Sequence, residues 1–172
     1  GAGIVVNGRA CIELEDGELE VICESYFTYE GIVAGVRVGR SATMLGDVDG
    51  DGCAEIALGA DLDDLNGLNN QGSVRVIYGF DNRSAACTAG QPVSDNGCAC
   101  EARMVVLESG DANSQAGISL ASGFLDGDNR PDLVVGAYTR RTNNVTVGGA
   151  WVIPGTYLNS LIPKTLSDAE SA

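Results

Sequence analysis

The sequence predicts an all-β protein, and three observations carry that expectation. Its apolar residues fall in short Val/Ile/Leu runs separated by turns drawn from 24 glycines, a pattern of strands rather than of amphipathic helices. Asp16-Gly17 divides two segments that alternate apolar and acidic residues, the strongest short-range hairpin signal. Segment 46–60, GDVDGDGCAEIALGA, then returns at 123–137, with Gly46 on Gly123, Asp49 on Asp126, Asp51 on Asp128, Glu55 on Asp132 and Gly59-Ala60 on Gly136-Ala137, 77 residues apart throughout. A regular internal repeat implies stacked copies of one unit, each burying its faces on its neighbours.

Taken in order, residues 1–8 (GAGIVVNG) read as the closing strand of an earlier unit, comparable with 72–79 and 149–155, so the chain is expected to begin in mid-unit. In 12–22 a two-residue turn sets Ile12 against Val21 and Leu14 against Leu19, with Glu13 and Glu15 opposite Glu20 and Glu18. Like charges facing across strands cost stability, so these acids form a solvated face, or else a second cation site or a docking surface for a basic partner. Residues 42–45 form the strand before the first repeated loop and 56–60 the strand after it. Segment 61–71 is an Asn-rich loop, expected to be solvated although Asp61, Asp63 and Asp64 could add an ion. A strand comes next at 74–78, then a Gly/Ser/Cys-rich insertion at 80–102 that is too polar for a core of its own and relies on disulfides. Residues 104–107 open the second unit, 139–148 form another polar loop, and 157–172 read as the first strand of a further unit with a loose tail.

The repeated loop has the pattern of a calcium site. Asp47, Asp49 and Asp51 fall at alternate positions, Gly52 is next and Glu55 closes the loop. Ca²⁺ is a hard cation that takes six to eight oxygens at about 2.3–2.6 Å, from alternate side chains and a backbone carbonyl, here that of Cys53. In the second loop Phe124 replaces the first carboxylate, leaving Asp126, Asp128, Asp132 and the carbonyl of Arg130. Asn129 takes the glycine position, which Asn tolerates because it visits positive φ. The second site is expected to be weaker or empty.

The loop runs on into a short apolar strand ended by Gly-Ala, not into the second helix of a helix–loop–helix calcium site. This order resembles the FG-GAP repeat of integrin α-subunit propellers. Val38-Gly39 and Ala116-Gly117 stand at the Phe-Gly position, and Gly59-Ala60-Asp61 and Gly136-Ala137-Tyr138 at the Gly-Ala-Pro position; neither is kept literally. The resemblance implies β-propeller blades: a preceding blade's end with an acidic hairpin insertion (1–26), a first repeat (27–80), a Cys-rich insertion (81–102), a second repeat with a degenerate calcium loop (103–155), and the start of a further blade or tail (156–172). About two full blades plus partial blades at each end cannot close a ring of about four to eight. The rest of a longer propeller, or neighbouring chains, would then cover the open faces.

Composition excludes other classes. A net charge of −14 with ten Lys and Arg argues against nucleic acid. No apolar run reaches the roughly 18 residues of a membrane span. Without an initiator Met the chain reads as a processed product or a piece of one. The six cysteines, Cys11, Cys23, Cys53, Cys87, Cys98 and Cys100, together with a calcium loop favour an extracellular setting, secreted or at the cell surface. Locality suggests Cys11 with Cys23, and Cys87 with Cys98 or Cys100. Cys53 would either tether the calcium loop or remain a free thiol. The chain has no histidine, which removes Ser-His and Cys-His catalysis. Asn82-Arg83-Ser84 and Asn144-Val145-Thr146 are N-glycosylation sequons.

The expected function is therefore a calcium-stabilised structural or adhesive protein, not an enzyme, that self-associates or forms part of a larger propeller. The alternative is a glycan- or protein-binding module using Trp151, Tyr138, Tyr157 and Arg140-Arg141, although Trp151 is expected in the core. A polysaccharide-acting hydrolase is the outsider, since the obvious carboxylates are committed to the loops.

Overall fold

The computed structural model describes residues 2–6, 11–15, 18–22, 25–31, 33–50, 54–78, 93–94, 104–158 and 164–166. Among them the strands run β1 (Ala2–Val6), β2 (Cys11–Glu15), β3 (Glu18–Ile22), β4 (Ser25–Glu30), β5 (Ser41–Gly46), β6 (Glu55–Ala60) and β7 (Ser73–Ile77). Next come β8 (Val93–Ser94), β9 (Met104–Glu108), β10 (Ser119–Gly123), β11 (Asp132–Ala137), β12 (Arg141–Thr142), β13 (Val145–Thr146), β14 (Gly149–Ile153) and β15 (Lys164–Thr165). The helical elements among these residues are short, a 3₁₀ turn at Leu65–Gly67 and an α-turn, Gly155–Leu158. The all-β expectation holds.

The hairpin β2–β3 has the register that the Asp16-Gly17 turn dictates: Ile12 opposite Val21, Leu14 opposite Leu19, Glu13 opposite Glu20 and Cys11 opposite Ile22. The two repeats build the larger sheets. One has the order β15-β9-β7-β6-β5 and the other β10-β11-β14. Strands β5, β6 and β7 correspond to β10, β11 and β14, each set an antiparallel meander around one acidic loop. Strand β9, which opens the second unit in the sequence, pairs antiparallel with β7 and so finishes the first sheet. The sequence repeat is thus out of phase with the sheets by one strand. The N-terminal strands follow the same plan, β1 antiparallel to β4 and β4 parallel to β8, as β7 is to β9 and β9 to β15.

Packing explains the strand sequences. The central strands β6 and β7 of the first sheet are buried on both faces. Val74, Val76, Tyr78, Val105 and Leu107 face Leu133, Val135, Trp151 and Ile153 of the second sheet in one cluster, while Ile56, Leu58 and Ile77 pack with Tyr29, Val36 and Val38 in another. A strand covered on both sides reads as a continuous apolar run, and β6 is buried at every position. Strand β14 alternates instead, with Trp151 and Ile153 inward and Val152 53% exposed.

The two repeats meet where Gly72 bridges Ala116 and Ser41 Oγ donates to Gly117 O at 2.7 Å, and within the second repeat Gly117 N–H donates to Gly136 O at 3.1 Å. Gly72 (φ +77) and Gly117 (φ +83) lie in the left-handed region, and a Cβ on either would overlap the backbone facing it. In the first repeat Gly39 N–H likewise donates to Gly59 O at 3.0 Å. The Phe-Gly and Gly-Ala-Pro positions are therefore bonded to each other, which accounts for their pairing in sequence.

Three expectations need refinement or correction. Segment 139–148, expected as a polar loop, is exposed from 141 to 147 but carries regular structure: β12 and β13 form a small hairpin whose turn residues Asn143 and Asn144 have φ 51 and φ 63, as a primed two-residue turn requires. Tyr157 does not begin a strand, because it lies in the turn Gly155–Leu158. The only strand described beyond it, Lys164–Thr165, adds parallel to β9 rather than starting a new sheet. The loop 61–71 is not solvated throughout, since Asp61 and Asp63 are buried.

Candidate metal centre

Each acidic loop joins the first two strands of its sheet. Gly46 (φ 87) turns the chain out of β5 and Gly50 (φ 83) turns it again, which points successive carboxylates to one side. Oxygens of Asp47, Asp49 and Glu55 lie within 4.8 Å of one another. The equivalent oxygens of Asp126, Asp128 and Asp132 do the same in the second loop, where Gly127 (φ 80) and Asn129 (φ 65) make the turns. Asn129 takes the left-handed conformation expected of it.

The closing acid of each loop is anchored in the same way. Glu55 is fully buried, and its Oε2 accepts the Val48 N–H at 2.5 Å. Asp132 is 1% exposed, and its Oδ2 accepts the Leu125 N–H at 2.6 Å. The shorter Asp side chain also takes the Gly155 N–H on Oδ1 at 2.9 Å. The outer acids fold the loop: Asp47 Oδ1 accepts Gly50 N–H at 2.6 Å, Asp126 Oδ1 accepts Asp128 N–H at 3.0 Å and Asp128 Oδ1 accepts Arg130 N–H at 2.8 Å. Three carboxylates at this spacing repel by roughly 1 kcal/mol per pair in water and several-fold more in a lower dielectric. An all-oxygen donor set on a tight loop fits a hard divalent cation, and the buried Glu55 and Asp132 tie each loop to its sheet. Asp51 and Cys53 lie outside the described residues. Phe124, where the first loop has Asp47, is 69% exposed and offers no oxygen from its side chain.

The two loops also touch. Arg130 Nη1 donates to Val48 O at 2.6 Å, and Pro131 lies against Gly46. In sequence Arg130 offers its loop only a carbonyl, because nothing local signals a bond across 82 residues.

Elsewhere, buried charges are paired. Arg75 Nη1 donates to Asp63 Oδ2 at 2.7 Å and also to Ser73 Oγ, while Arg37 Nη2 donates to Asp61 Oδ2 at 2.7 Å. Buried Gln71 takes the Gly110 N–H, and its own carbonyl accepts from Ser109 and Ser114. No sequence motif marks these residues. Of the alternative binding set, Trp151 is buried beneath Arg140, whose guanidinium carbon stands 4.5 Å from the ring centroid. Tyr157 packs on the core, whereas Tyr138 and Arg141 are exposed. Trp151 and Tyr157 thus belong to the core and Tyr138 and Arg141 to the surface. Cys23, Cys87, Cys98, Cys100 and Asn82 lie outside the described residues, and Asn144 is exposed.

Residues 39–77 match the FG-GAP repeat family. Over 137 residues, 77% of the chain, the sequence is 32% identical to integrin alpha-PS2 of Drosophila melanogaster. The chain spans 9% of the length of that relative.

Proposed function

Because this chain is an integrin α-like FG-GAP repeat protein, we propose that it is a calcium-stabilised module of an extracellular or cell-surface adhesive protein. It acts by holding shape rather than by catalysis. The observation that carries the reading is the doubled loop: two acid clusters at the same strand junction, each closed by a buried carboxylate that caps the same backbone position. In the loaded state Asp47, Asp49 and Glu55 would hold the first ion together with Asp51 and the Cys53 carbonyl. Asp126, Asp128, Asp132 and the Arg130 carbonyl would hold the second. A bound ion offsets the repulsion among the acids, and its binding free energy becomes folding free energy.

The second sheet leaves Val152 exposed and Val134 half-buried on its outer face, whereas the corresponding strands β6 and β7 of the first sheet are covered on both sides. We assign that face to a neighbouring blade, either from a longer propeller or from another chain. A ligand-binding role finds less support, since Trp151 is committed to the core. Thermal unfolding with calcium and with a chelator tests the reading. A midpoint that is unchanged by chelation would sink it.

A further inference from the structure

We propose that Asn144 is an N-glycan acceptor when the chain passes through a secretory compartment, an inference that rests on the extracellular reading above. Asn144-Val145-Thr146 meets the acceptor rule, but such tripeptides arise easily, and this one is distinguished by its presentation. It occupies the turn and return strand of the β12–β13 hairpin, with Asn144 at the second turn position. Every residue from 141 to 147 is exposed, so a sugar on Asn144 would project into solvent. The two-residue strands are held by their own pairing and, at the base, by the Val147 and Gly148 N–H groups on the Arg140 carbonyl. The segment can therefore open into the extended form a transferase must reach, at little cost to β11 or β14.

The step needs a polyprenyl-diphosphate-linked oligosaccharide. The Asn144 amide nitrogen bonds to the anomeric carbon, the bond from that carbon to the diphosphate oxygen breaks, and the nitrogen gives up one proton as the polyprenyl diphosphate leaves. Nothing is oxidised or reduced. Val145 and Val147, 62% and 60% exposed, then stand beside a hydrated glycan instead of presenting bare apolar surface.

The full chain carrying a cleavable secretion leader would be expressed in eukaryotic cells and collected from the medium, so that passage through the compartment is imposed. Glycan release in heavy-oxygen water followed by peptide mass spectrometry marks each occupied asparagine. The expected result is label at Asn144, lost in Thr146→Ala and kept in Thr146→Ser. Secreted protein bare at Asn144, or label that survives Thr146→Ala, would overturn the proposal whatever the calcium dependence of folding turns out to be.

Discussion

At the scale of single residues, the acids of one loop have different work. Asp49 is half-exposed and Glu55 fully buried. Asp49→Ala should remove the stabilisation that calcium gives through the first loop, about 2.7 kcal/mol when the ion is at about 100 Kd. Melting curves with and without the ion check this, and a variant that still gains the full increment would count against a ligand role. Asp126→Ala should cost less, because its loop lacks one carboxylate. Glu55→Ala should differ in kind. Its carboxylate caps the Val48 N–H in a buried setting, and leaving that donor unpaired costs about 1–3 kcal/mol. Urea unfolding should therefore register the loss even with the ion chelated.

At the scale of elements, the contacts between sheets decide stability. Gly117→Ala forces a side chain into φ +83 against the Ser73 carbonyl. It should destabilise by about 2 kcal/mol or more, against about 0.5–1 kcal/mol gained by Gly→Ala within an ordinary strand. Arg130→Ala removes the charged donor that joins the second loop to Val48, a loss of about 1–2 kcal/mol for a half-buried bond. Calcium titration followed by fluorescence or calorimetry should then find the first loop weakened by a substitution in the second. Equal first-loop affinity in wild type and variant would mean that the two loops bind independently. Much at this scale was legible: the β2–β3 register follows from the Asp-Gly turn and period-2 alternation, and β6 and β11 from the 77-residue repeat. The β12–β13 hairpin was not, because Asn-Asn is a weaker turn signal than Asn-Gly or Asp-Gly, and a hairpin of two-residue strands has no apolar alternation to announce it.

At the scale of the molecule, the centre of one sheet is covered on both faces and that of the other on one. If another chain supplies the missing cover, light scattering should report assemblies that weaken on chelation, and Val152→Asp should shift them toward monomer. A monomer of unchanged stability in both wild type and variant would mean that nothing docks on that face of this chain. The charge of −14 works in the same direction, since removing calcium restores repulsion within and between subunits.

The sequence by itself determined the strands around the repeated loops, the acidic loops, the β2–β3 register and the all-β class, because turn chemistry and side-chain period act over a few residues. Only the tertiary structure decided that β9 finishes the first sheet, that Asp61 and Asp63 are buried against Arg37 and Arg75, and that Arg130 ties one loop to the other. These contacts span 12 to 82 residues, and a side chain's partner at that distance is set by which sheet faces pack together, a property that no local pattern encodes.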